Sequence, residues 1–134
     1  RSGVGPEDLD VIEVHDAAAP SEILQYAEIG LCGPGEGHLL LRNGQTALGG
    51  KTPVNVSGGL LSRGHPLGAT GCAQLVELYD QLSGRAEARQ VDGAKVAQLY
   101  AEGRELLRRF DAAAARASDR RRNCPAAGPD HRWR

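Results

Sequence analysis

Aromatic residues make up only 4% of the 134 residues, methionine is absent, and there is one tryptophan and one phenylalanine. A core so poor in rings has to be built from Val, Leu, Ile and Ala. No apolar run approaches the ~20 residues that cross a bilayer, and the opening residues do not read as a signal peptide. The expectation is therefore a cytoplasmic protein with no membrane partner. Cysteine is also scarce. Cys32, Cys72 and Cys124 are odd in number and share no metal-ligand spacing, which argues against a disulfide framework and a structural metal site.

What is present suits a folded domain, or a piece of one, because 40% hydrophobic and 25% charged residues can support a core. The net charge of −1 hides an asymmetry: residues 1–100 carry seven Lys/Arg against twelve Asp/Glu, whereas residues 101–134 carry nine Arg against five acids. The basic tail has almost no interleaved aromatics and no nucleic-acid motif, so no nucleic-acid partner is expected.

The chain punctuates itself as alternating strands and helices. DVIEVHDAA predicts a buried strand over about 10–15, ending at His15 and Asp16, and ligands collect at such C-terminal strand ends in open α/β sheets. Pro20 and Ser21 open a helix with Glu22 in its first turn and glycines at its end, with Leu24, Ala27 and Leu31 facing the core. Residues 33–53 form a long glycine-dense excursion of the kind that is usually functional. A second strand is expected over 52–56 and a third from 93–99. Between these two lies a helix over about 69–83, with Cys72, Leu75, Val76, Tyr79 and Leu82 on its inward face. Strand, helix, strand, helix, strand implies a parallel α/β unit.

The informative stretch is NVSGGLLSRGHPLGATG, residues 55–71, in which His65 stands between Gly64 and Pro66 in a run with five glycines. Glycine at that density marks backbone that bends sharply or approaches a ligand closely. A histidine there, leading into a helix N-terminus, can be aimed at a substrate.

VIEVHDAAAPSEI, PVNVSGGLLSRGHPLGATG and QLVELYDQLSG together resemble the C-terminal half of a thiolase, over residues 5–97. The branch nearest in appearance is the sterol-carrier-protein-type thiolases, which carry His-Asp where most thiolases carry Asn-Glu-Ala-Phe. The resemblance implies an α/β fold with a parallel-rich mixed sheet and helices on both faces, lacking the start of the half and divergent at its C-terminus. It also implies roles. His65 takes the proton of a nucleophilic cysteine and helps bind the thioester oxygen, and His15 holds a water in the same oxyanion hole. Gly58, Gly59, Gly64, Pro66 and Gly68 line the substrate. Acyl-CoA is the substrate and no cofactor other than coenzyme A is required. The partners expected are the missing N-terminal half or a separate chain bearing it, and further copies of the same chain.

Several residues read more plainly. Asp16 alternates away from His15 on the strand and suits a cap as well as a catalytic role, whereas Glu13 shares His15's side and could orient it. Ala18 stands where relatives carry phenylalanine. Cys72 reads as a buried small hydrophobe and Cys32 as a loop-packing residue, so neither replaces the thiolase nucleophile, which belongs to the N-terminal half. Cys124 lacks the Cys-x-Gly context of the second thiolase cysteine.

The first domain is accordingly expected over 1–98. Residues 99–134 read as an Ala/Arg-rich tail, helical to about 118 and then disordered, of the kind a GC-rich gene yields when read out of frame. Three functions follow: a thiolase-type acyl-CoA C-acyltransferase working by thiolysis or Claisen condensation, a thiolase-fold lyase cleaving a carbon–carbon bond in a CoA-linked side chain, or a non-catalytic scaffold. With the nucleophile absent, the chain by itself is expected to be inactive.

Overall fold

The computed structural model of the chain describes residues 3–101 and 104–109, the latter segment and residue 101 as backbone only. After a 3₁₀ turn at Pro6–Asp8, strand β1 runs Val11–Val14 and helix α1 Ala19–Ile29. Two short helices follow, α2 at Gly37–Arg42 and α3 at Gly59–Arg63. Helix α4 spans Thr70–Leu82, a second 3₁₀ turn Glu87–Arg89, and strands β2 and β3 run Val96–Ala101 and Arg104–Arg109.

β2 lies beside β1 in parallel, with Val11 opposite Ala97 and Val14 opposite Tyr100, and β3 pairs antiparallel to β2. On the other side Ile12 bridges Val54 in parallel, through Ile12 N–H to the Pro53 carbonyl and Asn55 N–H to the Ile12 carbonyl. The strand expected over 52–56 is thus a single bridge, because Asn55 turns at once into the left-handed region (φ 50°). Asn tolerates that region because its side chain can bond locally. Here Asn55 Oδ1 accepts from Val14 N–H at 2.9 Å and Nδ2 donates to Glu22 at 2.9 Å, tying β1 to α1.

Alternation along β1 splits the core in two. Ile12 and Val14 pack with Leu9, Tyr26, Ile29 and Val54 on the α1 side, and Val11 packs with Leu78, Ala97 and Leu99 on the α4 side. Helices therefore cover both faces, the incomplete α/β half that the motifs imply.

Three local expectations fail in part, for packing reasons, while Leu31, Leu75 and Leu82 do pack against the core as expected. α1 buries Tyr26 and Ile29 while Leu24 is 64% exposed, because the buried Tyr26 hydroxyl has partners at hand: it donates to Glu22 and meets Thr46 Oγ1 at 3.1 Å. α4 turns Gln74, Glu77, Leu78 and Gln81 inward and leaves Cys72 exposed with Val76 and Tyr79. Most of those inward polar groups find partners: Gln74 Nε2 donates to the Val14 carbonyl, Gln81 Nε2 to the Arg89 carbonyl, and Glu77 pairs with Arg89 at 3.0 Å, while Gln74 Oε1 is buried without a partner. A hydrophobicity pattern cannot see such partners. Residues 33–53, expected to be irregular, contain α2, which approaches α1 so closely that a Cβ on Gly37 would lie 2.2 Å from the Ile23 carbonyl oxygen.

The helix expected from 99 to about 118 is replaced, as far as residue 109, by β2 and β3. Pairing of Leu99 with Leu106 and Val96 with Arg109 satisfies the outer edge of β2, a tertiary gain that overrides the helix propensity of Leu and Arg. The remainder of the expected tail, with Cys124, lies outside the described residues. Among the described residues no helix is long and apolar enough to cross a membrane.

Candidate active site at the end of the first strand

β1 ends by delivering His15 and Asp16 beside the glycine loop. His15 is held through its backbone: its N–H donates to the Tyr100 carbonyl at 3.0 Å, and its carbonyl accepts from Gln25 Nε2 at 2.7 Å. Asp16 is buried, and its carboxylate accepts from the N–H groups of Leu60 (2.7 Å) and Leu61 (3.5 Å), so it caps the first turn of α3. The structure thereby resolves the two readings of Asp16 toward the cap.

The double glycine is explained by the same contact. Gly58 and Gly59 have φ of 90° and 61°, and a Cβ on Gly59 would stand 2.2 Å from Asp16 Oδ2. Only glycine allows the chain to turn there while the carboxylate reaches the next amide.

Glu13 fastens the loop from below. It is fully buried, accepts from the Ser57 hydroxyl at 3.0 Å, and pairs with Arg63 Nη2 at 3.3 Å. Burial pushes its carboxyl up to about 7, against the opposing pull of the Ser57 hydrogen bond and the Arg63 charge. The orienting role considered for Glu13 is thus spent on Ser57 and Arg63, the residues that frame α3. Arg63 also reaches the Gly59 carbonyl through Nε at 3.3 Å.

α3 stops at Gly64, whose N–H donates to the Leu60 carbonyl, and His65 follows. The rings of His15 and His65 meet edge to face, 4.7 Å between centroids and 84° between planes. His65 Nδ1 lies 2.9 Å from Thr70 Oγ1, and that hydroxyl donates to the Pro66 carbonyl at 3.1 Å. The structure therefore brings together the two histidines that the sequence singled out, 50 residues apart in the chain, on an open surface where His15 is half-buried and His65 exposed. Gly58, Gly64, Pro66 and Gly68 are exposed around them, whereas Gly59 is buried against Asp16.

Neither of two described cavities lies at the pair: one of about 130 Å³ is lined by Pro6, Leu31, Leu40 and Thr52, the other, of about 80 Å³, by Leu9, Ile29 and Gln98. Cys32 is half-buried and packs on the α1 side of the core, and burial with the nearby Glu36 charge pushes its thiol up, away from thiolate. Cys72 stands on the first turn of α4, exposed rather than buried as expected. Ala18 is exposed at the start of α1. Among the described residues no cluster of three or more His, Cys, Asp or Glu side chains could hold a metal ion.

Sequence reasoning passed over Arg63 and Thr70. The only trace of Thr70 is its place as the first helical residue after the loop, where a hydroxyl can reach back to preceding groups.

A parallel α/β half with a histidine pair at a strand's C-terminal end and a glycine-hinged loop above it defines a class. The sequence matches the thiolase C-terminal domain-like family over residues 1–110, and the chain belongs to that family. It is 56% identical over 97 residues to sterol carrier protein 2 of Rattus norvegicus, an alignment covering 72% of this chain and 18% of that protein. It is 46% identical over 95 residues to an acetyl-CoA acetyltransferase of Methanothermobacter thermautotrophicus, covering 71% and 25%. A benzoylsuccinyl-CoA thiolase subunit, BbsB of Thauera aromatica, is 43% identical over 104 residues, covering 77% and 27%. Among solved structures, the Ltp2-ChsH2(DUF35) aldolase superposes with a TM-score of 0.65 at 25% identity, covering 73% of this chain and 25% of that one. The chain thus spans roughly a fifth to a quarter of the length of the relatives it matches.

Proposed function

We propose that the chain supplies the histidine half of a thiolase-type acyl-CoA C-acyltransferase site. The observation that carries this reading is the edge-to-face pair of His15 and His65 at 4.7 Å, beneath the Gly-His-Pro loop of a thiolase C-terminal half. A cysteine is nucleophilic as thiolate, and an adjacent imidazole generates it by taking the S–H proton. The thiolate then adds to a thioester carbonyl, whose developing oxyanion needs preorganised donors. His65, once protonated, is one such donor, and a water held by His15 is the second. The exposed backbone of Gly58, Gly64, Pro66 and Gly68 would lie against the acyl-CoA.

The nucleophile comes from elsewhere, from an N-terminal half of the same protein or from a partner chain. Leu61, Leu67 and Val76 are 61%, 86% and 58% exposed around the site and on α4, which supports their burial against that other half or a further copy. In the whole protein, His65→Ala should lower turnover of an acyl-CoA thiolysis assay by about 10²–10⁴-fold, the usual contribution of a positioned acid–base group. Near-normal turnover would overturn the assignment.

The aldolase superposition supports a second reading, a lyase that cleaves a carbon–carbon bond in a CoA-linked side chain. Cleavage of a β-hydroxyacyl-CoA without added CoA, by a whole protein lacking an activated cysteine, would favour it. Binding of neither CoA nor acyl-CoA would leave the scaffold reading.

A further inference from the structure

We propose that Thr70 is the positioning residue that fixes the tautomer of His65, holding the proton on Nδ1 and keeping Nε2 for chemistry. The inference deepens the reading of His65 as the base and rests on it for its catalytic consequence.

The argument is one of donors and acceptors. The Pro66 carbonyl can only accept; it takes the N–H groups of Ala69 at 2.8 Å and Thr70 at 3.0 Å, and it also lies 3.1 Å from Thr70 Oγ1, where we place the single hydroxyl proton. With the proton there, Oγ1 turns lone pairs toward His65 Nδ1 at 2.9 Å, and the imidazole is the donor in that contact. Thr70 cannot easily swing away. It is buried as the first residue of α4, and its own N–H also donates to the Pro66 carbonyl, at 3.0 Å. The ring plane is constrained a second time by the edge-to-face contact with His15.

A neutral imidazole with its proton on Nδ1 presents the Nε2 lone pair. When a thiol enters, its S–H bond breaks, the proton goes to Nε2, and the products are a thiolate and an imidazolium bonded to Thr70 through Nδ1–H. The new Nε2–H then serves as the oxyanion donor. Without Thr70 the proton is free to settle on Nε2, and the base is then aimed the wrong way.

The test reads the tautomer directly, apart from activity. In the ¹⁵N-labelled full chain above the imidazole pKa, long-range ¹H–¹⁵N correlations of His65, assigned by their loss in His65→Asn, should show Nδ1 protonated and Nε2 unprotonated. Thr70→Ser should keep that pattern. Thr70→Val, nearly isosteric but without the hydroxyl, should lose it. A wild-type His65 protonated on Nε2 overturns the proposal, and so does a folded Thr70→Val with an unchanged pattern. Should Thr70→Val lose its dispersed amide spectrum, the wild-type and Thr70→Ser spectra still decide.

In the whole protein, Thr70→Val should lower kcat about tenfold, the scale of one lost hydrogen bond, with KM little changed and with rescue by Thr70→Ser. If His65→Ala leaves turnover intact while the tautomer pattern holds, the base assignment has failed and the positioning by Thr70 stands.

Discussion

Replacing Glu13 by Gln should flatten the dependence of stability on pH. Glu13 is fully buried near the end of β1, and burial carries its carboxyl from an ordinary 4.5 to about 7 in the fold. An acid raised in this way is protonated in the native state between these two values while the unfolded chain is already ionised. The native state then binds more protons, so stability is full below about pH 4.5, falls as pH rises, and levels off above about 7. At about 1.4 kcal/mol per pH unit, the difference corresponds to about 3 kcal/mol lost across that window. Gln fills the same volume and cannot ionise, so the variant should hold nearly constant stability from pH 4.5 to 8. At low pH the two should be nearly equal, because Glu13 is then neutral in the fold and holds no ion pair with Arg63 for the amide to forgo. At pH 8 the variant should be more stable by about 3 kcal/mol, the amount the ionised Glu13 costs the wild type. Urea unfolding followed by far-UV circular dichroism at pH 5, 6, 7 and 8 measures both curves. Stopping at pH 8 avoids the Cys32 and Tyr26 groups, which are both pushed up and titrate higher. Parallel curves for wild type and variant would refute the reasoning, because the slope would then belong to other groups.

Gly59→Ala should cost about 2–4 kcal/mol, from a left-handed backbone and the loss of the Asp16 cap, since the new Cβ would fall 2.2 Å from Asp16 Oδ2. Gly64→Ala, at φ 79° and ψ 176° with nothing within 4 Å of its Cβ, should cost only a backbone share of about 1–3 kcal/mol. Equal losses in urea unfolding would remove Asp16 from the account. The 134-residue chain by itself should form no turning-over acyl intermediate when given acyl-CoA, because Cys32 is held away from thiolate and Cys72 lies on α4 beyond the loop. Mass spectrometry should find no stoichiometric acyl-cysteine, and an adduct on Cys72 released by added CoA would contradict this.

The sequence by itself determined the parts that depend on local chemistry. β-branched density marked β1, glycine and proline marked the ends of α1 and the loop, and the motifs around His15 and His65 pointed to one family. Which groups face each other was decided only by tertiary structure. Gln74, Glu77 and Gln81 read as solvent-facing until Val14, Arg89 and Val91 stand opposite with backbone and guanidinium partners. The residues from 99 read as helical until the open edge of β2 offers a ladder of hydrogen bonds to 104–109. Glu13 and Asp16 sit three residues apart on one strand end, yet one fastens the loop through Ser57 and Arg63 and the other caps α3. No local pattern carries that division, because a carboxylate's role is set by the donors that folding brings to it across more than 40 residues of chain.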